Sequence, residues 1–172
     1  NEPAALILDG NHRLYIADQN NHRIRVVDLK TGQIQTIAGA GTAMYDGDAK
    51  PAVDTALAGP GGLALADDRL YIADTFNGRI RCVQLSSGRI STVAGDGAAY
   101  RYESPSDPPS PSLARPTGIA ISLNGDLILT DSDNHLIRQW DWDSGTASCL
   151  AGNGVPSYSG DRGAAKEAEL CY

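Results

Sequence analysis

Short apolar stretches separated by turn residues run the length of the chain and return on a fixed period. Leu14-Tyr15-Ile16-Ala17-Asp18 comes back as Leu70-Tyr71-Ile72-Ala73-Asp74 and again as Leu127-Ile128-Leu129-Thr130-Asp131, at offsets of 56 and 57 residues. Asn follows each Asp by three residues, at Asn21, Asn77 and Asn134. Ile24-Arg25, Ile80-Arg81 and Ile137-Arg138 come next, and each unit then reaches a pair of glycines, Gly39/Gly41, Gly95/Gly97 and Gly152/Gly154. A repeat of this length marks one supersecondary unit that hides its apolar face only by stacking on its neighbours.

Each unit predicts four strands. In the second they are Gly62–Ala66, Leu70–Asp74, Arg79–Leu85 and Arg89–Ala94, all rich in Ile, Val, Leu and Tyr and bounded by turn residues. Asp9-Gly10-Asn11 and Asn124-Gly125-Asp126 predict the first hairpin turns, where Gly and Asn tolerate positive φ. Thr31-Gly32, Ser87-Gly88 and Ser144-Gly145 predict the third. Leu6-Ile7-Leu8 and Leu63-Ala64-Leu65 are apolar on both faces, which suits sheets stacked face to face rather than a sheet with one wet side. The expected fold is all-β, a β-propeller of four-stranded antiparallel blades. The blades fall at about 3–59, 60–115 and 116–172 of a single propeller region.

The run LYIADQNNHRIRVVDLKTGQIQTIAGAG resembles the NHL repeat, and Asn134-His135-Leu136 spells the triplet that names that family. Asn21-His22-Arg23 and Asn77-Gly78-Arg79 depart from it. The resemblance implies propellers of mostly six blades that serve as protein- or RNA-binding platforms, with lyases and hydrolases among the relatives.

Three blades leave two end sheets, and exposed apolar patches beyond a few hundred Å² are rare on monomers. Either a two-fold dimer completing a six-bladed ring or a piece of a longer chain is expected. By the repeat spacing the next Pro would be residue 173, so the 172 residues hold three whole units. No leader pattern is read in Asn1-Glu2-Pro3, and a chain that starts without Met suggests a cut or mature form.

Asp18, Asp74 and Asp131 end the second strand of every unit, and Arg25, Arg81 and Arg138 recur on the third. Recurrence in every unit favours a structural role. The carboxylates are expected to accept turn N–H groups, and they are the natural partners for half-buried arginines. Trp140 and Trp142 align with Val27 and Leu29 and are expected in the core. Phe76 aligns with the polar Asn20 and Asp133, so an exposed aromatic in a contact role is expected there.

Between each glycine pair and the next Pro lies a connection of constant length, with Leu57, Leu113 and Leu170 as expected anchors. The middle connection diverges most and carries Tyr100-Arg101-Tyr102, a candidate contact loop together with Phe76. Asp46-Gly47-Asp48 falls far short of a calcium loop.

Composition narrows the function. Fourteen Lys and Arg against 21 Asp and Glu give a net charge of -7, which argues against nucleic acid. No apolar run approaches the ~18 residues of a membrane span. Cys82, Cys149 and Cys171 have no metal-site spacing; buried thiols are expected, and neither compartment nor disulfide state follows. No catalytic, cofactor or metal set is expected. Ala5–Leu8, Gly62–Leu65 and Gly118–Ile121, the innermost strands, hold nothing ionisable, which counts against a channel active site. A protein- or peptide-binding scaffold is the leading expectation, with a lyase or hydrolase acting at the central channel as its rival.

Overall fold

The computed structural model describes residues 2–98 and 109–172. Its strands form three separate four-stranded antiparallel sheets, each in simple sequential order. The first holds β1 (Pro3–Leu8), β2 (Arg13–Asp18), β3 (Arg23–Asp28) and β4 (Ile34–Ala38). The second holds β5 (Pro60–Ala66), β6 (Arg69–Asp74), β7 (Arg79–Gln84) and β8 (Arg89–Ala94). The third holds β9 (Pro116–Ile121), β10 (Leu127–Asp131), β11 (Leu136–Asp141) and β12 (Thr146–Ala151). The chain is an all-β propeller arc of three blades. No sheet shares a strand with another; β5 lies against both β1 and β9, so the first strands of the blades run side by side.

Two apolar cores fill the spaces between sheets. Tyr15, Ala17, Ile24 and Val26 of blade 1 meet Leu63, Leu70, Ile72, Val83 and Ile90 of blade 2. The other face of blade 2, with Tyr71, Ala73, Ile80 and Cys82, meets Leu127, Leu129, Trp140 and Ala147 of blade 3. Both faces of a middle blade are therefore buried, which is why its strands carry apolar residues at consecutive positions.

Between the second and third strands each blade passes through one 3₁₀ turn, at Gln19–Asn21, Thr75–Asn77 and Ser132–Asn134. The next residue is left-handed in all three, with φ of 53° at His22, 58° at Gly78 and 55° at His135. This backbone requirement explains why His and Gly interchange there. The first glycine of each pair is fixed by the same turn. A Cβ on Gly39, Gly95 or Gly152 would fall on the carbonyl oxygen of His22, Gly78 or His135 respectively.

Three sequence expectations need correction. Trp142 is 46% exposed, not core: it lies just beyond β11, where the aligned Leu29 is also exposed, and its indole N–H donates to the Gly125 carbonyl at 3.3 Å. In the first hairpin of blade 1 the left-handed residue is His12 (φ 65°), not Gly10, because Asp9 Oδ1 closes the turn by accepting the N–H groups of Asn11 and Arg13 at 2.8 and 2.9 Å. Among the cysteines Cys82 is buried, but Cys171 is exposed and Cys149 half-buried.

Candidate functional site

The recurring Asp, Asn and Arg converge at the end of the second strand. Antiparallel pairing sets Ile72 opposite Arg81 and Asp74 opposite Arg79, so the Arg81 side chain reaches back to the strand end. Asp74 Oδ2 accepts the Asn77 amide at 2.8 Å and Arg81 Nη1 at 3.3 Å, while its Oδ1 accepts the Ala58 N–H at 2.7 Å. Asp131 repeats the arrangement with Asn134 at 3.1 Å, Arg138 at 3.1 Å and the Ala114 N–H at 2.7 Å. None of the three aspartates caps its own 3₁₀ turn. At Asp74 and Asp131 the expected turn N–H partner is replaced by a backbone N–H of the incoming connection, so these two carboxylates each tie a blade to the segment that enters it.

Arg81 is fully buried and receives more from that segment. Its Nη2 donates to the Gly47 carbonyl at 3.0 Å and to Asp48 Oδ1 at 2.9 Å, and the Tyr45 ring stacks on Arg79 at 3.8 Å from the ring centre. A cation over an aromatic face and a charge-assisted bond both gain from exclusion of water. Asp48 is therefore a clamp on Arg81. Asp46 instead bonds Lys50 at 2.9 Å and the Ala56 N–H at 3.1 Å. Sequence reasoning missed the role of Tyr45 and Asp48; its available signal was the return of Tyr-x-Gly-Asp as Tyr158-Ser159-Gly160-Asp161. Arg138 is met differently, by the carbonyls of Ser110, Ser112 and Ala147.

Blade 1 stands apart. Arg25 lies 3.8 Å from Asp18 and keeps 29% exposure, against 0% for Arg81 and 3% for Arg138. Burial pushes the Asp74 and Asp131 carboxyls up, outweighing the N–H, Asn and Arg donors that pull them down. Asp18 is also raised by its smaller burial, but its hydrogen bonds and Arg25 outweigh that and leave it lowered.

Phe76 sits in the 3₁₀ turn of blade 2 and is 63% exposed. Its N–H donates to the Ala58 carbonyl at 3.0 Å, and one edge of the ring covers Gly59, where a Cβ would collide with it. Asn20 and Asp133 hold the same place and bond Glu2 and Arg115. Phe76 thus closes over the incoming chain on one side and offers the remaining ring to solvent. Tyr100, Arg101 and Tyr102 lie outside the described residues. A cleft between blades 2 and 3 is lined by Arg69, Tyr71, Gln84, Arg89 and Trp142. Among the described residues no three His, Cys, Asp or Glu are grouped to hold a metal, and no helix is long and apolar enough to cross a membrane.

The NHL repeat pattern matches residues 113–140. The chain is 32% identical over 142 residues to Protein SUPPRESSOR OF QUENCHING 1, chloroplastic, of Arabidopsis thaliana, covering 78% of this chain and 13% of that protein. It is 30% identical over 146 residues to human NHL repeat-containing protein 2, covering 80% of this chain and 20% of that one. The chain thus spans a fifth or less of the length of these curated relatives. Among solved structures, a structural-genomics protein of unknown function from Bacteroides thetaiotaomicron superposes with a TM-score of 0.69 at 19% identity, over 97% of this chain and 40% of that one.

Proposed function

The chain belongs to the NHL-repeat β-propeller family, and from that premise we propose that it is a non-catalytic interaction scaffold that binds protein or peptide through loops on the propeller faces. The observation that carries this reading is Phe76, a large apolar side chain 63% exposed on a hydrogen-bonded 3₁₀ turn. Aromatic residues held on a rigid frame are the usual anchors of binding surfaces, because little conformational entropy is lost when a partner covers them. Tyr100, Arg101 and Tyr102 extend the candidate surface in sequence. The reading includes pairing of two copies, so that three blades from each complete six. Nucleic acid is not the partner, given the charge of -7.

The rival enzymatic reading needs acid–base or metal-binding groups at the inner strands. β1, β5 and β9 carry only Ala, Leu, Ile, Gly, Pro and Thr side chains, and this favours the scaffold. Peptides selected for binding to the 172-residue protein provide the test. Phe76→Ala is expected to weaken them about 30-fold, the size of a single interface hot spot, with the β-sheet circular dichroism spectrum unchanged. Equal binding by the variant contradicts the reading.

A further inference from the structure

Strand pairing in blade 2 sets Arg69 opposite Gln84 and Gln84 opposite Arg89, so these three side chains form one rung on a single face of the sheet. Two residues further along the strands the same face carries Tyr71 and Cys82, which pack against blade 3. The rung therefore stands at the rim of the gap between blades 2 and 3. That gap is a cleft of about 760 Å³, within the roughly 300–1,000 Å³ usual for ligand sites. On its far side blade 3 offers Ile121 and the half-exposed indole of Trp142. The rim is thus cationic on the blade 2 side and apolar on the blade 3 side.

The charge of this rung belongs to blade 2 alone. In blade 1 the matching Arg13 is bound by Asp9 at 2.7 Å and lies opposite Asp28. The gap between blades 1 and 2 is also smaller, about 370 Å³, and is lined in part by Pro51 and Val53 of the incoming connection. In blade 3 Asp126 takes the place of Arg69, and Asp141, paired with Thr146, that of Gln84. In blade 2, among the described residues, neither Arg69 nor Arg89 has a carboxylate within salt-bridge distance. Gln84, which separates them, donates its amide to Asp68 at 2.6 Å, and Arg89 Nη1 is steadied by the Ala49 carbonyl at 3.1 Å. Two carboxylates also line the cleft. Asp48 is held by Arg81 and Thr92 at 2.9 and 3.1 Å, and Asp67 lies in the turn before β6. A chain of net charge -7 thus keeps two unmatched guanidinium groups on one rung.

We propose that this cleft binds an extended peptide segment in which acidic residues alternate with an apolar or aromatic one. Successive side chains of an extended chain point to opposite sides. A segment lying between the two blades therefore turns its carboxylates to Arg69 and Arg89 and the residue between them to Trp142. The two arginines stand two strand spacings apart, about 10 Å. Acidic residues at i and i+2 of the peptide are about 7 Å apart, and the length of the arginine side chains closes the difference. Guanidinium groups hold carboxylates by paired N–H donors, and a tryptophan at a cleft mouth is a strong apolar anchor. An uncharged segment leaves both cations unmatched. Arg69 opens β6 and Phe76 follows its other end, so the cleft and Phe76 lie on opposite faces of the propeller. The cleft rests on the reading above that the chain binds peptides and does not depend on Phe76.

Fluorescence anisotropy of a dye-labelled Gly-Glu-Phe-Glu-Gly peptide, blocked at both ends, tests it on the 172-residue protein. The wild-type chain is expected to bind at low salt and to weaken as salt is raised. Arg69→Gln and Arg89→Gln are each expected to weaken binding about fivefold and Trp142→Ala about 30-fold, with the β-sheet circular dichroism spectrum unchanged. A probe with Gln in place of both Glu is expected to bind the wild type and the Arg69→Gln/Arg89→Gln double variant equally, because its carboxylates are gone. A wild-type chain that leaves the Glu probe unbound overturns the proposal, as does a double variant that binds it as tightly as the wild type. Loss of the Glu probe on Phe76→Ala, with no change on the arginine and Trp142 variants, places the peptide at Phe76; this overturns the cleft while the scaffold reading stands. Arginine-dependent binding of the Glu probe, alongside selected peptides that Phe76→Ala leaves unaffected, upholds the cleft and overturns Phe76 as the anchor.

Discussion

The Asp74–Arg81 pair of blade 2 and the Asp18–Arg25 pair of blade 1 are the same residues on the same strands, yet they occupy different environments. At Asp74 the connection between blades arrives with a backbone N–H, a carbonyl, the Asp48 carboxylate and the Tyr45 ring, and it excludes water from the arginine. At Asp18 the arginine stays 29% exposed and 3.8 Å away. The weight of a repeated residue in a stacked fold is thus set by whether a neighbour covers it. Sharing of strands has no part in this, since the three sheets share none.

The largest effect expected from breaking this contrast is at the ion pairs. Asp74→Ala leaves Arg81 buried without its carboxylate, and chemical denaturation should register a loss of about 3–5 kcal/mol. Asp18→Ala, at dilutions that keep copies apart, should lose under about 1 kcal/mol, the range of exposed pairs. The apolar face comes next. Ile90 is 2% exposed and the aligned Ile34 52%. Ile90→Ala is expected to cost about 2–5 kcal/mol and Ile34→Ala about 0.5 kcal/mol or less. Equal losses in either set would show that blade 1 is covered as fully as blade 2.

Titration sharpens the comparison with a smaller signal. Followed by carboxyl-carbon NMR, Asp74 and Asp131 should titrate above the ordinary carboxyl value of 3.8 and Asp18 below it. A raised carboxyl binds its proton more tightly folded than unfolded. The contribution of Asp74 and Asp131 is therefore complete below 3.8 and lost as pH rises through their folded values. The contribution of Asp18 has the opposite sign, complete above 3.8 and lost as pH falls through its folded value. Asp18 titrating with the other two would contradict the difference in burial.

Much of the fold is legible along the chain because a blade is local. The four strands of blade 2 appear within two residues of their expected bounds, since short β-branched stretches and turn residues mark both ends. Side chains beyond strand ends are harder to place. Trp142 aligns with apolar residues, but alignment does not distinguish a covered position from one that merely tolerates Leu, and Leu29 turns out to be exposed as well. The junction was half legible. The Asp and Arg recur visibly, whereas their partners lie in connections of low similarity, and the Ala58 N–H that meets Asp74 is a backbone group that leaves no side-chain signature. Tyr45 and Asp48 become readable only once strand pairing shows where Arg79 and Arg81 point.

A pair of double-mutant cycles tests most directly whether coverage by the connection gives the ion pair its weight. One combines Asp74→Ala with Arg81→Met, the other Asp18→Ala with Arg25→Met, both measured by denaturation at dilutions that keep copies apart. The expected interaction energies are about 2–3 kcal/mol for the covered pair and under about 0.5 kcal/mol for the open one. Equal interaction energies in the two blades would contradict the account.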